Sequence, residues 1–230
     1  MVQILQSPQV DVSIRMYTAE NLGQIDPGNE LTIATWVQLI ESTQMDDYIC
    51  KRAAQNLGKI GRGNKKAIAA LEKLLELIYL NDDTRMCIAE NLGQIDPGND
   101  GAITTLVQLL ESAQVNRDTR RLAARGLGNI GTGNEKAIIA LVQILQSKNE
   151  DSLIGRLVEE SLGQILDNKY QFAVVQTLSG YQQFDDNCYN VLWNCAQNMP
   201  YPDFYQAWHQ HNFATRAMRS LKKIFSTRII

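Results

Sequence analysis

The stretch Ala89-Glu90-Asn91-Leu92-Gly93-Gln94-Ile95-Asp96-Pro97-Gly98-Asn99 stands again, letter for letter, at residues 19–29. Its core, Leu-Gly-x-Ile, returns at Leu22, Leu57, Leu92, Leu127 and Leu162, every 35 residues without a slip. A fixed period of this size marks a stack of supersecondary units, each covering its neighbour's apolar face. Such a stack offers a long surface in place of a catalytic pocket, so function is to be sought on that surface.

Within one copy, residues 83–112, the pattern is helical. Ile88, Ala89, Leu92 and Ile95 form one buried stripe, with Asp83 or Thr84 as the cap of a first helix. Gly93 costs about 1 kcal/mol relative to Ala inside a helix. Its return in every copy points to close approach of a partner helix. The first helix stops at Asp96-Pro97-Gly98-Asn99, where Gly98 supplies a permissive backbone and Asn99 caps the second helix. That helix buries Ile103, Leu106, Val107 and Leu110. Neither helix is long enough to be stable alone in water, so stacking must supply the stability.

The copies are unequal. Residues 57–68 resemble 127–138 rather than 89–99, so a 70-residue pair of units has been duplicated. Residues 1–7 match Leu141 to Ser147 with one conservative change at the first position, so the chain opens inside a second helix, as part of a longer protein would.

Composition sets bounds. The chain of 230 residues has 44% hydrophobic residues and a net charge of -3, ordinary for a folded protein and no mark of a polyanion binder. The charge is uneven: residues 204–230 carry Arg216, Arg219, Lys222, Lys223 and Arg228 without an acid. No apolar run reaches the roughly 18 residues of a membrane span, and the start lacks an export signal. Four unevenly spaced cysteines suit a reducing compartment, so a cytoplasmic location is expected.

The Ala-Glu-Asn-Leu-Gly-Gln-Ile helices, the Gly-Asn joints and the Ala-Ile-x-Ala-Leu second helices (Ala67 to Leu71, Ala137 to Leu141) resemble short HEAT repeats abundant in cyanobacterial proteins. Tetratricopeptide repeats have a similar period, but their aromatic, Ala and closing Pro positions are not matched. Further on, Phe172 to Val175 and Cys188 to Trp208, with Trp193, Cys195, Tyr201 and Pro202 between, are similar to the C-terminal Cys/His helical domain of NACHT-type NTPases. The resemblance implies a HEAT array that senses a ligand for an upstream NTPase module. This chain holds no Gly-x-x-x-x-Gly-Lys-Ser/Thr phosphate loop, so that module is expected outside it.

Candidate chemistry is sparse. Cys188, Cys195 and His209 are residue types that bind zinc. Seven residues along a helix, however, separate the two thiols by roughly 10 Å, and packing as small apolar residues is the expectation. Cys50 and Cys87 are expected to be buried. His209 and His211 are the only histidines, which excludes a HEAT-type di-iron hydroxylase, and no catalytic triad can be assembled. No catalytic residue, metal site or cofactor is expected.

The best surface is the column Gln38, Lys73, Gln108, Gln143 on the second helices, flanked by Thr35, Ala70, Thr105 and Ala140. Small residues beside hydrogen-bonding groups would leave a shallow groove for a protein or peptide ligand on the concave face. The Asn21, Asn56, Asn91 column is expected to be exposed. The tail places Ala214, Ala217, Met218, Leu221, Ile224 and Phe225 at helical spacing, with Arg216, Arg219, Lys222 and Lys223 beside or opposite. It reads as a last capping helix, with anion contact through those four bases as the alternative.

The expected architecture is all-α: a right-handed α-solenoid of HEAT-like pairs over 1–169, closed by a small helical domain over 170–230. The expected function is a non-catalytic scaffold or sensor array of a NACHT-type NTPase. Two alternatives stay open: a HEAT-repeat bilin lyase or chaperone acting on phycobiliproteins, and a nucleic-acid binder using the basic tail.

Overall fold

The computed structural model describes residues 2–7, 9–42, 47–147, 151–181 and 185–210. Among these residues all regular structure is helical: α1 (Val2–Gln6), α2 (Val12–Ile25), α3 (Glu30–Ser42), α4 (Asp47–Ile60), α5 (Lys65–Leu75), α6 (Asp82–Ile95), α7 (Asp100–Glu111), α8 (Arg117–Ile130), α9 (Glu135–Leu145), α10 (Ser152–Ile165), α11 (Asn168–Ser179) and α12 (Asp186–Asn198). Residues 201–210 are helical as well. The fold is all-α, of HEAT-type helix pairs consistent with an α-solenoid. By its contacts the chain divides into two compact units, Met1–Gly131 and Thr132–Ile230.

In the first unit, α2, α4, α6 and α8 are first helices, beginning at Val12, Asp47, Asp82 and Arg117. Each packs on the next in line, while α1, α3, α5 and α7 pack on one another in the second position. Every second helix also covers the first helix that follows it: α3 against α4, α5 against α6, α7 against α8. The apolar stripe explains this arrangement. Ile88, Ala89, Leu92 and Ile95 are all at most 1% exposed, and so are Ile103, Leu106 and Leu110. Val107 departs from expectation, being half-buried, and Leu109 takes the inner place.

In the second unit, α9 packs on α10, α12 on α10, and α11 on both α9 and α12. Here α11 therefore holds a second-helix position. Asn168 follows Glu135 by 33 residues rather than 35, because the joint between α10 and α11 is shorter. Residue 170 falls inside α11.

The joints alternate in kind, in step with the 70-residue duplication. At Asp26-Pro27-Gly28-Asn29 and Asp96-Pro97-Gly98-Asn99 the cap Asn donates to the preceding Asp carboxylate at 2.8 Å. At Gly61–Asn64 and Gly131–Asn134 the second glycine's amide instead donates at 2.9 Å to a carbonyl of the following first helix, Gly63 to Ile95 and Gly133 to Ile165. All four joint glycines adopt left-handed backbone, φ between +64 and +90°, which a side chain would strain.

Helix starts correct one expectation. The cap of α6 is Asn81, whose Oδ1 accepts from the Thr84 amide at 2.8 Å. Asp83 sits inside the helix and accepts from the Thr119 hydroxyl of α8. Capping thus begins two residues earlier, and the freed carboxylate links neighbouring first helices.

Asn99 is the most buried of the four joint asparagines, at 9% exposed. Its Oδ1 accepts from Ala102 N (3.1 Å), and its Nδ2 donates to Asp96 (2.8 Å) and to Glu72 of α5 (3.0 Å). Asn99→Ala should cost about 2 kcal/mol, the upper end for a helix cap, because the amide of buried Ala102 is left unpaired. Asn134→Ala, which loses the cap bond from the Ala137 amide at 3.2 Å at a less buried joint, should cost about half that. Thermal melts of the two variants, compared with the unmodified chain, check the order.

Candidate interaction surface

The column expected to line a groove is exposed at each of its four positions. Gln38 of α3, Lys73 of α5, Gln108 of α7 and Gln143 of α9 all face solvent. Gln108 is tied down, its Oε1 accepting from the Arg85 guanidinium of α6 at 3.3 Å. The flanking small residues are not surface groups. Thr35, Ala70, Thr105 and Ala140 are 1 to 6% exposed, because three residues along a helix rotate them toward the packed side. Thr35 even turns its hydroxyl onto its own helix, donating to the Leu31 carbonyl at 2.8 Å.

Grooves exist nonetheless between successive second helices, in both units. Between α3 and α5 a depression of about 440 Å³ is lined by Ala34, Val37, Gln38, Glu41, Lys66, Ala69, Ala70 and Lys73. Between α9 and α11 a depression of about 320 Å³ has an apolar floor of Ile138, Ile139, Val142, Ala173 and Val174. Glu135, Gln143, Gln146, Tyr170 and Thr177 form its rim. Ile139 is 48% exposed there. Lys169 lies over the Tyr170 ring at 4.5 Å and donates to its phenol at 2.9 Å.

Two further residues of the column escape a 35-residue count. In the shortened register, Gln143 is followed by Gln176 on α11, where a count of 35 lands on buried Leu178. Gln176 in turn pairs with Gln210, Nε2 to Oε1 at 3.5 Å. The contracted joint is the signal that would have revealed them.

The thiols belong to the core. Cys50, Cys188 and Cys195 are 0% and Cys87 5% exposed. Burial pushes the Cys188 thiol up from 9.0 to about 12, with the Asp185 carboxylate adding to the shift, and Cys195 up to about 11. Burial also raises Cys87. The Cys188 sulfur lies 3.8 Å from the Leu145 carbonyl of α9. His209 is exposed on the neighbouring helix, its ring 4.2 Å from that of Tyr205. Among the described residues no group of three or more His, Cys, Asp or Glu side chains is placed to hold a metal. His211 and the bases Arg216, Arg219, Lys222 and Lys223 lie outside the described residues.

The asparagine column corrects another expectation. Asn21 is exposed, but Asn56 and Asn91 are only 6% and 9% exposed. Each turns its Nδ2 back onto its own helix, to Arg52 O (2.9 Å) and Cys87 O (2.7 Å). Asn91 thereby lies flat over Gly58 of α4.

Comparison with known families agrees with this geometry. Residues 77–163 match the family model for HEAT repeats. Residues 181–209 match that of the NACHT C-terminal Cysteine and Histidine-containing domain, which here spans α12 and the helix after it. No curated protein and no solved structure matches the chain. The chain is thus similar to HEAT-type interaction scaffolds associated with NACHT NTPases.

Proposed function

We propose that this chain is a non-catalytic recognition array that binds a protein or peptide along its second helices, as the ligand-sensing part of a NACHT-type NTPase. The observation that carries the reading is the pair of grooves between successive second helices, each edged by the polar column and one of them floored by aliphatic side chains. An extended or helical ligand can set an apolar side chain on Ile139 and Val142 while Gln143 and Gln146 bond its polar groups. In this reading the array runs to about residue 169, the helical segment from 170 closes it, and occupancy is relayed to an NTPase module of the parent protein. The bound face is the concave one.

The test is a displayed peptide library panned on the chain. Selected peptides should bind the Ile139→Asp, Gln143→Glu double variant at least about tenfold more weakly, a loss of about 1.4 kcal/mol. Gln38→Glu with Lys73→Glu should weaken ligands that use the other groove. Peptides that bind all variants equally would sink the reading.

A further inference from the structure

The two grooves differ where duplication alone would have left them alike. Helix α5 reads Lys-Lys-Ala-Ile-Ala-Ala-Leu-Glu-Lys-Leu-Leu, and α9, its duplicate, reads Glu-Lys-Ala-Ile-Ile-Ala-Leu-Val-Gln-Ile-Leu. Four of the five differences fall at Glu135, Ile139, Val142 and Gln143, all of which line the α9–α11 groove. Their counterparts in α5 are Lys65, Ala69, Glu72 and Lys73. One groove is floored by aliphatic side chains, while the other sets bases beside small residues.

On one wall of the α3–α5 groove, Lys66, Ala69, Ala70 and Lys73 stand at i, i+3, i+4 and i+7, the spacing of a single helix stripe. Two ammonium groups therefore flank the alanines, on Cα atoms roughly 10 Å apart. Both lysines are exposed, and among the described residues neither makes an ion pair or a hydrogen bond. The facing wall offers Ala34, Val37 and Gln38, with Glu41 as its one carboxylate. Helix stability does not explain the bases at the start of α5. The first turns of α3, α7 and α9 carry Glu30, Asp100 and Glu135, as the helix dipole favours, whereas α5 opens on Lys65 and Lys66.

We propose that the α3–α5 groove is the subsite for an acidic segment of a peptide ligand, with carboxylates on Lys66 and Lys73 and an aliphatic side chain over Ala69 between them. In an extended peptide, residues i, i+2 and i+4 share one face and the outer two lie roughly 13 Å apart, a span that two lysine stems reach. The matching ligand pattern is acid-x-apolar-x-acid. A nucleic acid fits less well, because residues 1–131 carry 13 Lys or Arg against 16 Asp or Glu, and that excess repels a long polyanion. This subsite rests on the second helices being the recognition face, and it gives one groove its ligand class.

The displayed peptide library, panned on the full chain and on its Lys66→Glu, Lys73→Glu variant, tests it. Both side chains are exposed, and Lys66→Glu sets an acid in the first turn, so the variant should melt within a few degrees of the unmodified chain. Peptides selected by the unmodified chain should include an acid-x-apolar-x-acid class. That class should vanish with the variant, while peptides that use the α9–α11 groove persist. A fluorescein-labelled member of the class should bind the variant about tenfold more weakly, and Glu41→Gln about twofold more tightly, than the unmodified chain. Its affinity should fall as salt rises. Selected peptides with no enrichment in acids would overturn this subsite and leave the wider reading standing, whereas selection of none by either chain would overturn both. An oligonucleotide held as tightly as the peptide, and released by the same two substitutions, would make the lysines a polyanion site and end the proposal.

Discussion

Replacing Gly93 by alanine should destabilise the chain, although alanine is the better helix former. A Cβ on Gly93 would stand 2.4 Å from Cδ1, 2.7 Å from Cγ2 and 3.0 Å from Cβ of Ile130. The first two atoms could move by rotation, but the last is fixed to the backbone of α8. Helices α6 and α8 would have to separate. Alanine gains about 1 kcal/mol of helix propensity, while overpacking a tight core costs about 1–3 kcal/mol, and a clash with a branched side chain at its root belongs at the upper end. A net loss of about 2 kcal/mol is expected, and with it a fall in Tm of about 4–8 °C, at 2–4 °C per kcal/mol for a chain of this size. Gly163→Ala is the matched control. Its Cβ would meet nothing nearer than Asn194 at 3.9 Å, so the helix-propensity gain stands alone and Tm should hold or rise. If both variants melt like the unmodified chain, α6 and α8 are not in the contact described.

That contact also shows how much the sequence revealed. The recurring glycine was legible as a point of close approach, but not which helix approaches. The structure assigns it to the next first helix: at two copies the isoleucine of the following motif lies over the glycine, Ile60 over Gly23 at 3.3 Å and Ile130 over Gly93, and at Gly58 the side chain is Asn91. A periodic pattern gives the buried side of a helix, and the partner comes only from packing. The asparagine column failed for a related reason. A polar residue beside a buried stripe reads as solvated, yet Asn91 can be buried because Gly58 leaves it room and the Cys87 carbonyl accepts a hydrogen bond from its Nδ2. At the candidate site the polar column was legible up to Gln143. Beyond it the contracted joint before α11 moved Gln176 out of a 35-residue count, and the apolar groove beneath Gln143 depends on an α11 that lacks the Ala-Ile-x-Ala-Leu pattern.

The thiols of α12 should be almost inert in the folded chain, and their titration should mark the alkaline limit of its stability. Thiolate is the species that alkylates. A thiol titrating at about 12 instead of 9.0, as Cys188 does, supplies about a thousandfold less thiolate at neutral pH. For Cys195, at about 11, the factor is about a hundredfold. Both side chains are fully enclosed, so iodoacetamide must wait for local opening, and the modification rate reports that opening. The linkage to stability has a definite sign. Between pH 9 and about 12 the folded chain keeps the Cys188 proton that the unfolded chain gives up, so folding loses ground as pH rises through that window and is unaffected below it. Tyr181, raised by burial while its phenol donates to the Gln146 carbonyl at 2.9 Å, works in the same direction. Urea unfolding at pH 8 and pH 10.5 separates the contributions. The Cys188→Ala, Cys195→Ala variant should show a shallower fall in stability between these pH values than the unmodified chain. An unchanged slope, or rapid alkylation of both cysteines at neutral pH, would mean that α12 does not hold its sulfurs in the core. Zinc adds a sharper discrimination. A metal site must strip both protons on binding, so zinc would protect the thiols and release acid, whereas core thiols should bind none and alkylate at the same slow rate with or without it.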